Sequence, residues 1–180
     1  MRNDSANTSA TTLLDGATNN PTVNVTGNII TESGDALTAT DVKSISGGTG
    51  TWTVGGNVDL SHITYTATSG NTLTMNGTAK TLTTNGNSLY NFSETGGTVT
   101  MSGTTTISND LTITTGTLTA PASGALNVAG NFSNSATFTH NSSTVTMSGT
   151  KNIPGSSATT FSNLTISRTT VTVAAAGSDI

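Results

Sequence analysis

The chain has 180 residues, of which Thr (43), Ser (22), Gly (20) and Asn (19) make up 104, while charged residues are 8%, aromatics 4% and the formal net charge is −4. Five Lys and Arg residues scattered along the chain leave no electrostatic footprint for nucleic acid, no apolar run is long enough for a membrane-spanning helix, and the lack of cysteine removes disulfides, thiolate metal sites and Cys nucleophiles. Disordered tails carry many charges and few β-branched residues, whereas this composition is the reverse and the length suits one domain.

Residues 1–20 are polar apart from Leu13 and Leu14, and read as a flexible lead or an arm that adds as a strand to a neighbour. Residues 21–180 read as a single repeat domain. Single apolar residues there are flanked by threonine at 51–53, 64–66, 72–74, 81–83, 98–100, 112–114, 117–119, 137–139, 144–146 and 170–172. Strict alternation places the central side chain on one face of a strand and both threonines on the other, and β-branched Thr suits the pleated backbone. Dipeptides such as Asn76-Gly77, Asn85-Gly86, Gly96-Gly97, Ser102-Gly103 and Ser148-Gly149 supply tight turns between these runs. The pattern predicts an all-β chain of short strands.

A seven-residue motif then repeats. Thr72-Leu73-Thr74-Met75-Asn76-Gly77-Thr78 returns as Thr98-Val99-Thr100-Met101-Ser102-Gly103-Thr104, and again as Thr144-Val145-Thr146-Met147-Ser148-Gly149-Thr150. Dividing the offsets of 26 and 46 residues into whole turns predicts a parallel β-helix with roughly 23 residues per turn. Parallel crossovers favour the right hand. Leu73, Met75, Val99, Met101, Val145 and Met147 are the expected core ladder, stacked like on like. An up-and-down sandwich also has short strands and frequent turns, but gives no reason for motif identity at fixed offsets. At the C-terminal side Val171 and Val173 alternate with Thr and run into Ala174, Ala175 and Ala176, an expected surface for a further coil and hence an inter-subunit end.

The strings GGTGTWTVGGNVDLSHITYTA (from Gly47), TLTMNGTAKTLTTNGNSLYNF (from Thr72), NDLTITTGTLTA (from Asn109), GNFSNSATFTHNSSTVTMSGT (from Gly130) and TTFSNLTIS (from Thr159) resemble repeats of large secreted surface proteins of bacteria and archaea. Those are Thr/Asn/Gly-rich, adhesin-like proteins. The resemblance implies a β-helix acting as stalk or fibre, and it carries over no catalytic motif.

Residues that could carry chemistry are sparse. His62 and His140 lack a second ligand at metal-binding spacing, and read as outward strand residues. Asp35 with Asp41, or Asp59 with Glu94, could in principle form a glycosidase pair, but without the cluster of basic and aromatic residues that would hold a sugar. The calcium-binding Gly-Gly-x-Gly-x-Asp repeat is missing. The Thr pairs could form a flat ice-binding array only if they fell on one face at a constant interval, and along the chain their intervals range from 5 to 26 residues. The expectation is therefore an extracellular, cell-surface structural protein, not an enzyme and without cofactor, assembling head to tail with itself and open to cell-surface or matrix glycans. The alternatives are a monomeric stalk fragment of a larger adhesin and an ice-binding or carbohydrate-active β-helix.

Overall fold

The structure, a computed structural model, describes residues 11–31, 43–149, 151–167 and 171–173. Among them there is no helix, and every strand pairing is parallel. The first coil carries β1 (Thr11–Asp15), β2 (Val23–Val25) and β3 (Ile29–Ile30). The second carries β4 (Lys43–Gly48), β5 (Thr51–Val54) and β6 (Val58–Asp59), the third β7 (Thr64–Ala67), β8 (Thr72–Met75) and β9 (Lys80–Thr83). Then come β10 (Ser88–Leu89) with β11 (Asn91–Ser102), and β12 (Thr105–Ile107) with β13 (Leu111–Thr119). The sixth coil holds β14 (Ala125–Val128), β15 (Phe132–Asn134) and β16 (Thr137–Thr139), followed by β17 (Thr144–Met147), β18 (Lys151–Ile153), β19 (Asn163–Ile166) and β20 (Val171–Val173).

These strands stack into three faces of a parallel β-solenoid. The first face runs β2, β5, β8, the start of β11, the start of β13 and β15. The second runs β3, β6, β9, the end of β11, the end of β13 and β16. The third holds two separately paired sheets, β1, β4 and β7, then β10, β12, β14, β17 and β19. β11 and β13 belong to two faces because each bends through the corner between them, with register shifts between Glu94 and Thr98. The polar segment 1–20 falls partly outside the described residues, and within it Thr11–Asp15 pairs with β4 of the same chain.

The alternation seen in the sequence becomes columns of side chains. On the first face Trp52, Leu73, Phe92, Leu111 and Phe132 lie in register, all buried, with the polar residues between them turned outward. On the third face Leu89, Ile107, Val128 and Met147 do the same. The polar corner that leads into the first face carries a chain of hydrogen bonds from coil to coil, which pairs part of its turn backbone. Asn91 Oδ1 accepts from Asn109 Nδ2 (2.8 Å) and the Asp110 amide (3.2 Å), Asp110 Oδ1 accepts from the Asn131 amide (2.8 Å), and Asn131 Oδ1 accepts from the Asn152 amide (3.1 Å).

The turn is shorter than 23 residues. Phe92 lies opposite Leu111, Val99 opposite Leu118 and Val145 opposite Leu164, in each case 19 positions on. The reason is that the three motif copies do not stack on one another. Thr72 on the first face lies opposite Asn91, and Thr98 comes seven residues later, on the second face. Thr98 lies opposite Thr117, which lies opposite Thr137, and Thr144 again comes seven residues later, on the third face. Each offset therefore contains whole coils plus one step around the corner. Leu73, Met75, Val99, Met101, Val145 and Met147 are all buried, but they stack on unlike partners: Met75 on Val54 and Glu94, Met101 on Leu82, Met147 on Val128 and Ile166. The motif answers a local need, two inward apolar residues and then a turn, that is the same on any face.

Candidate functional sites on the rod

The residues that could carry chemistry are held apart. His62 is exposed, and its backbone amide donates to Thr31 Oγ1 (3.1 Å); His140 Nδ1 accepts from the Ser142 amide (3.1 Å). Asp59 lies on the second face, where its Oδ1 accepts from the amide and hydroxyl of Ser61. Glu94 lies inside the first face, so the second carboxylate pair is not brought together. Asp35 and Asp41 lie outside the described residues. Among the described residues no group of three or more His, Asp or Glu side chains is placed to hold a metal. Val171 and Val173 bound β20, which pairs with β18, and their side chains lie outside the described residues.

Aromatic side chains fill the interior in two clusters. Near the N-terminal side Trp52 meets Tyr65 edge-on with ring centroids 6.4 Å apart. Trp52 Nε1 donates to the Gly47 carbonyl (3.0 Å), and Tyr65 Oη donates to Asn71 Oδ1 (2.8 Å). Asn71, fully buried, in turn donates through Nδ2 to the carbonyls of Gly47 (3.0 Å) and Gly50 (2.9 Å). Burial pushes the Tyr65 phenol up to about 12, against the smaller opposing effect of its bond to Asn71, so it stays a neutral donor. Near the C-terminal side Phe132, Phe138 and Phe161 pack together at centroid distances of 4.9 to 5.8 Å.

Glu94 breaks the apolar pattern. It stands in the inward column between Met75 and Ile113 and has no solvent exposure. Its Oε1 accepts from the Gly96 amide at 3.3 Å, while Oε2 has no hydrogen-bond partner. Desolvation raises its carboxyl to about 7, with the Gly96 bond acting weakly the other way. The alternation Phe92-Ser93-Glu94 already puts Glu94 on the inward side with Phe92, a signal that weighing it only as a partner for Asp59 passes over.

The outer surface carries threonines in order. On the second face Thr98, Thr117 and Thr137 lie in register, as do Thr81, Thr100, Thr119 and Thr139. Three of the Thr-x-Thr pairs thus stack on consecutive coils, about 4.8 Å apart between strands and roughly 7 Å apart along each strand. Their irregular spacing in the sequence hides this, because pairs from the other two faces are interleaved among them. On the first face the pairs at 51–53 and 72–74 are also in register.

The arrangement defines a parallel β-solenoid repeat protein. No protein-family model, no curated protein and no solved structure matches the chain.

Proposed function

We propose that this chain is a structural subunit on the outside of the cell that joins end to end with copies of itself into a fibre. One observation carries the reading. The third-face column Leu89–Ile107–Val128–Met147 is buried throughout, and its last member among the described residues, Ile166, is 47% exposed. β19 pairs with β17 on one edge, and its other edge has no strand partner among the described residues. A further parallel strand there would satisfy backbone donors and acceptors and bury the apolar end together. Contacts of this head-to-tail kind do not close on themselves, so they propagate. A net charge of −4 over 180 residues opposes stacking little.

Electron microscopy and light scattering across a concentration series test this. Fibres of uniform width that lengthen with concentration, and that Ile166→Lys suppresses, are the expected result. A wild-type chain that stays monomeric at every concentration would sink the assembly and leave a stalk segment.

The stacked threonines favour a second reading, an ice-binding face. Supporting it are the uncharged rows Thr98–Thr117–Thr137 and Thr100–Thr119–Thr139, whose methyl and hydroxyl groups repeat in two dimensions on a paired sheet. On this reading the protein at low concentration slows ice recrystallisation, and Thr119→Lys, at the middle of the array, weakens the effect by tenfold or more. Recrystallisation no slower than with an inert protein of equal mass would exclude it.

A further inference from the structure

Glu94 sits in the middle of the rod, where an ionised group has least to recommend it. Its register neighbours, Met75 on β8 and Ile113 on β13, carry no charge. Gly96, Gly97 and Gly116 at the adjoining corner carry none, nor do Leu89, Phe92, Val99 and Met101, the other buried residues of the same coil, or Thr105 and Ile107 at the start of the next. Lys80 on β9 lies opposite Val99 and stays partly exposed, and Glu94 Oε2 is without any partner. Thr105 Oγ1, at the start of the next coil, is the other buried side-chain oxygen left unpaired among the described residues. The carboxyl has been given room: a Cβ added at Gly116, on the next coil, would stand 3.1 Å from Glu94 Oε1.

We propose that Glu94 makes the coil of residues 88–102 a proton-controlled joint in the rod, closed when its carboxyl is protonated and loosened when it ionises. Protonated, the group is neutral and fits an apolar column. Ionised, it must draw water into the glycine corner or swing outward past Gly97 and Gly116, and either movement disturbs the pairing of β11 with β8 and β13. The direction follows from linkage. The carboxyl ionises near 4.5 in an open chain and near 7 in the closed coil. Between those values the open form releases its proton first, so raising the pH favours opening. Stability that is complete below pH 4.5 is lost progressively up to about pH 7 and changes no further above it.

Amide hydrogen exchange on the full chain from pH 4.5 to 9, corrected for the intrinsic pH dependence of exchange, tests the joint. In the wild type the opening constant for amides of residues 92–101 should rise by roughly two orders of magnitude over that range. In Glu94→Gln, which keeps the shape and cannot ionise, it should be flat. The same rise in both proteins, or no rise in the wild type, would overturn the proposal. Should the Gln variant fail to fold, the Glu94 carboxyl carbon of the labelled wild type decides by NMR: a midpoint well above 4.5 supports the joint and a midpoint near 4.5 rejects it.

Discussion

Truncating Phe132 to alanine is expected to cost about 3–5 kcal/mol, the range for removing a fully buried aromatic ring from a packed core. Phe132 has no solvent exposure, stacks on Leu111 in the first-face column, and meets Phe138 (4.9 Å, 82°) and Phe161 (5.5 Å, 74°) edge-on. Each edge-to-face pair adds about 0.5–1.5 kcal/mol beyond area burial. The loss should also be local in a way that a globular core would not show. A solenoid is close to a one-dimensional chain of coils, each touching only its neighbours. Urea unfolding of Phe132→Ala should therefore show the coils around β13, β15 and β16 melting before those around β5 and β8, as read by residue-resolved hydrogen exchange. Trp52, held between β2 and β8, is a convenient fluorescent reporter for the other end. A single cooperative transition with both ends lost together would mean that coupling along the rod exceeds the strength of one coil.

The second large effect is expected at the corner between the first and second faces, where glycines stack from coil to coil. A Cβ at Gly77 would lie 2.0 Å from the Gly55 carbonyl oxygen, one at Gly97 would lie 2.4 Å from that of Gly77, and one at Gly116 would lie 2.5 Å from that of Gly97. The obstacle in each case is backbone, which cannot move without breaking the pairing next to it. Gly97 also has φ +81°, a conformation that a β-branched side chain scarcely tolerates. Gly97→Val combines the two and should destabilise by about 3 kcal/mol or more. Gly86→Val provides the comparison, since Gly86 has a similar φ of +87° with nothing within 4 Å of its added Cβ. It should lose only the conformational part, about 1–2 kcal/mol. Equal losses at the two sites, measured by denaturant midpoint, would show that φ alone matters and that the close approach between coils is relaxed in solution.

Both predictions concern positions whose local character the sequence displays and whose consequences it conceals. The alternation around Leu73, Val99, Leu118 and Val145 identifies strands with one buried face, because a period of two leaves a side chain only two directions to point. Parallel stacking was legible as well, in a motif repeated at intervals too long for hairpins. The pitch was not. An offset between like strings measures coils plus corners, and nothing in the string Thr-Val-Thr-Met-Ser-Gly-Thr says on which of three faces it will lie. Only the pairing of Thr72 with Asn91, and of Thr98 with Thr117, separates the two.

The same distinction applies to the candidate sites. Sparse charge, two lone histidines and no cysteine are properties of composition, and they hold wherever the chain folds. Glu94 was marked as inward by its parity with Phe92, yet its isolation between Met75 and Ile113 depends on which residues the neighbouring coils bring alongside. The threonine rows on the second face likewise arise from register between coils 19 and 20 residues apart. Alternation and composition thus determined the strands, their inward residues and the sparsely charged outer surface. Tertiary structure decided which strands are neighbours, because hydrogen bonding between coils selects a register that no single strand contains.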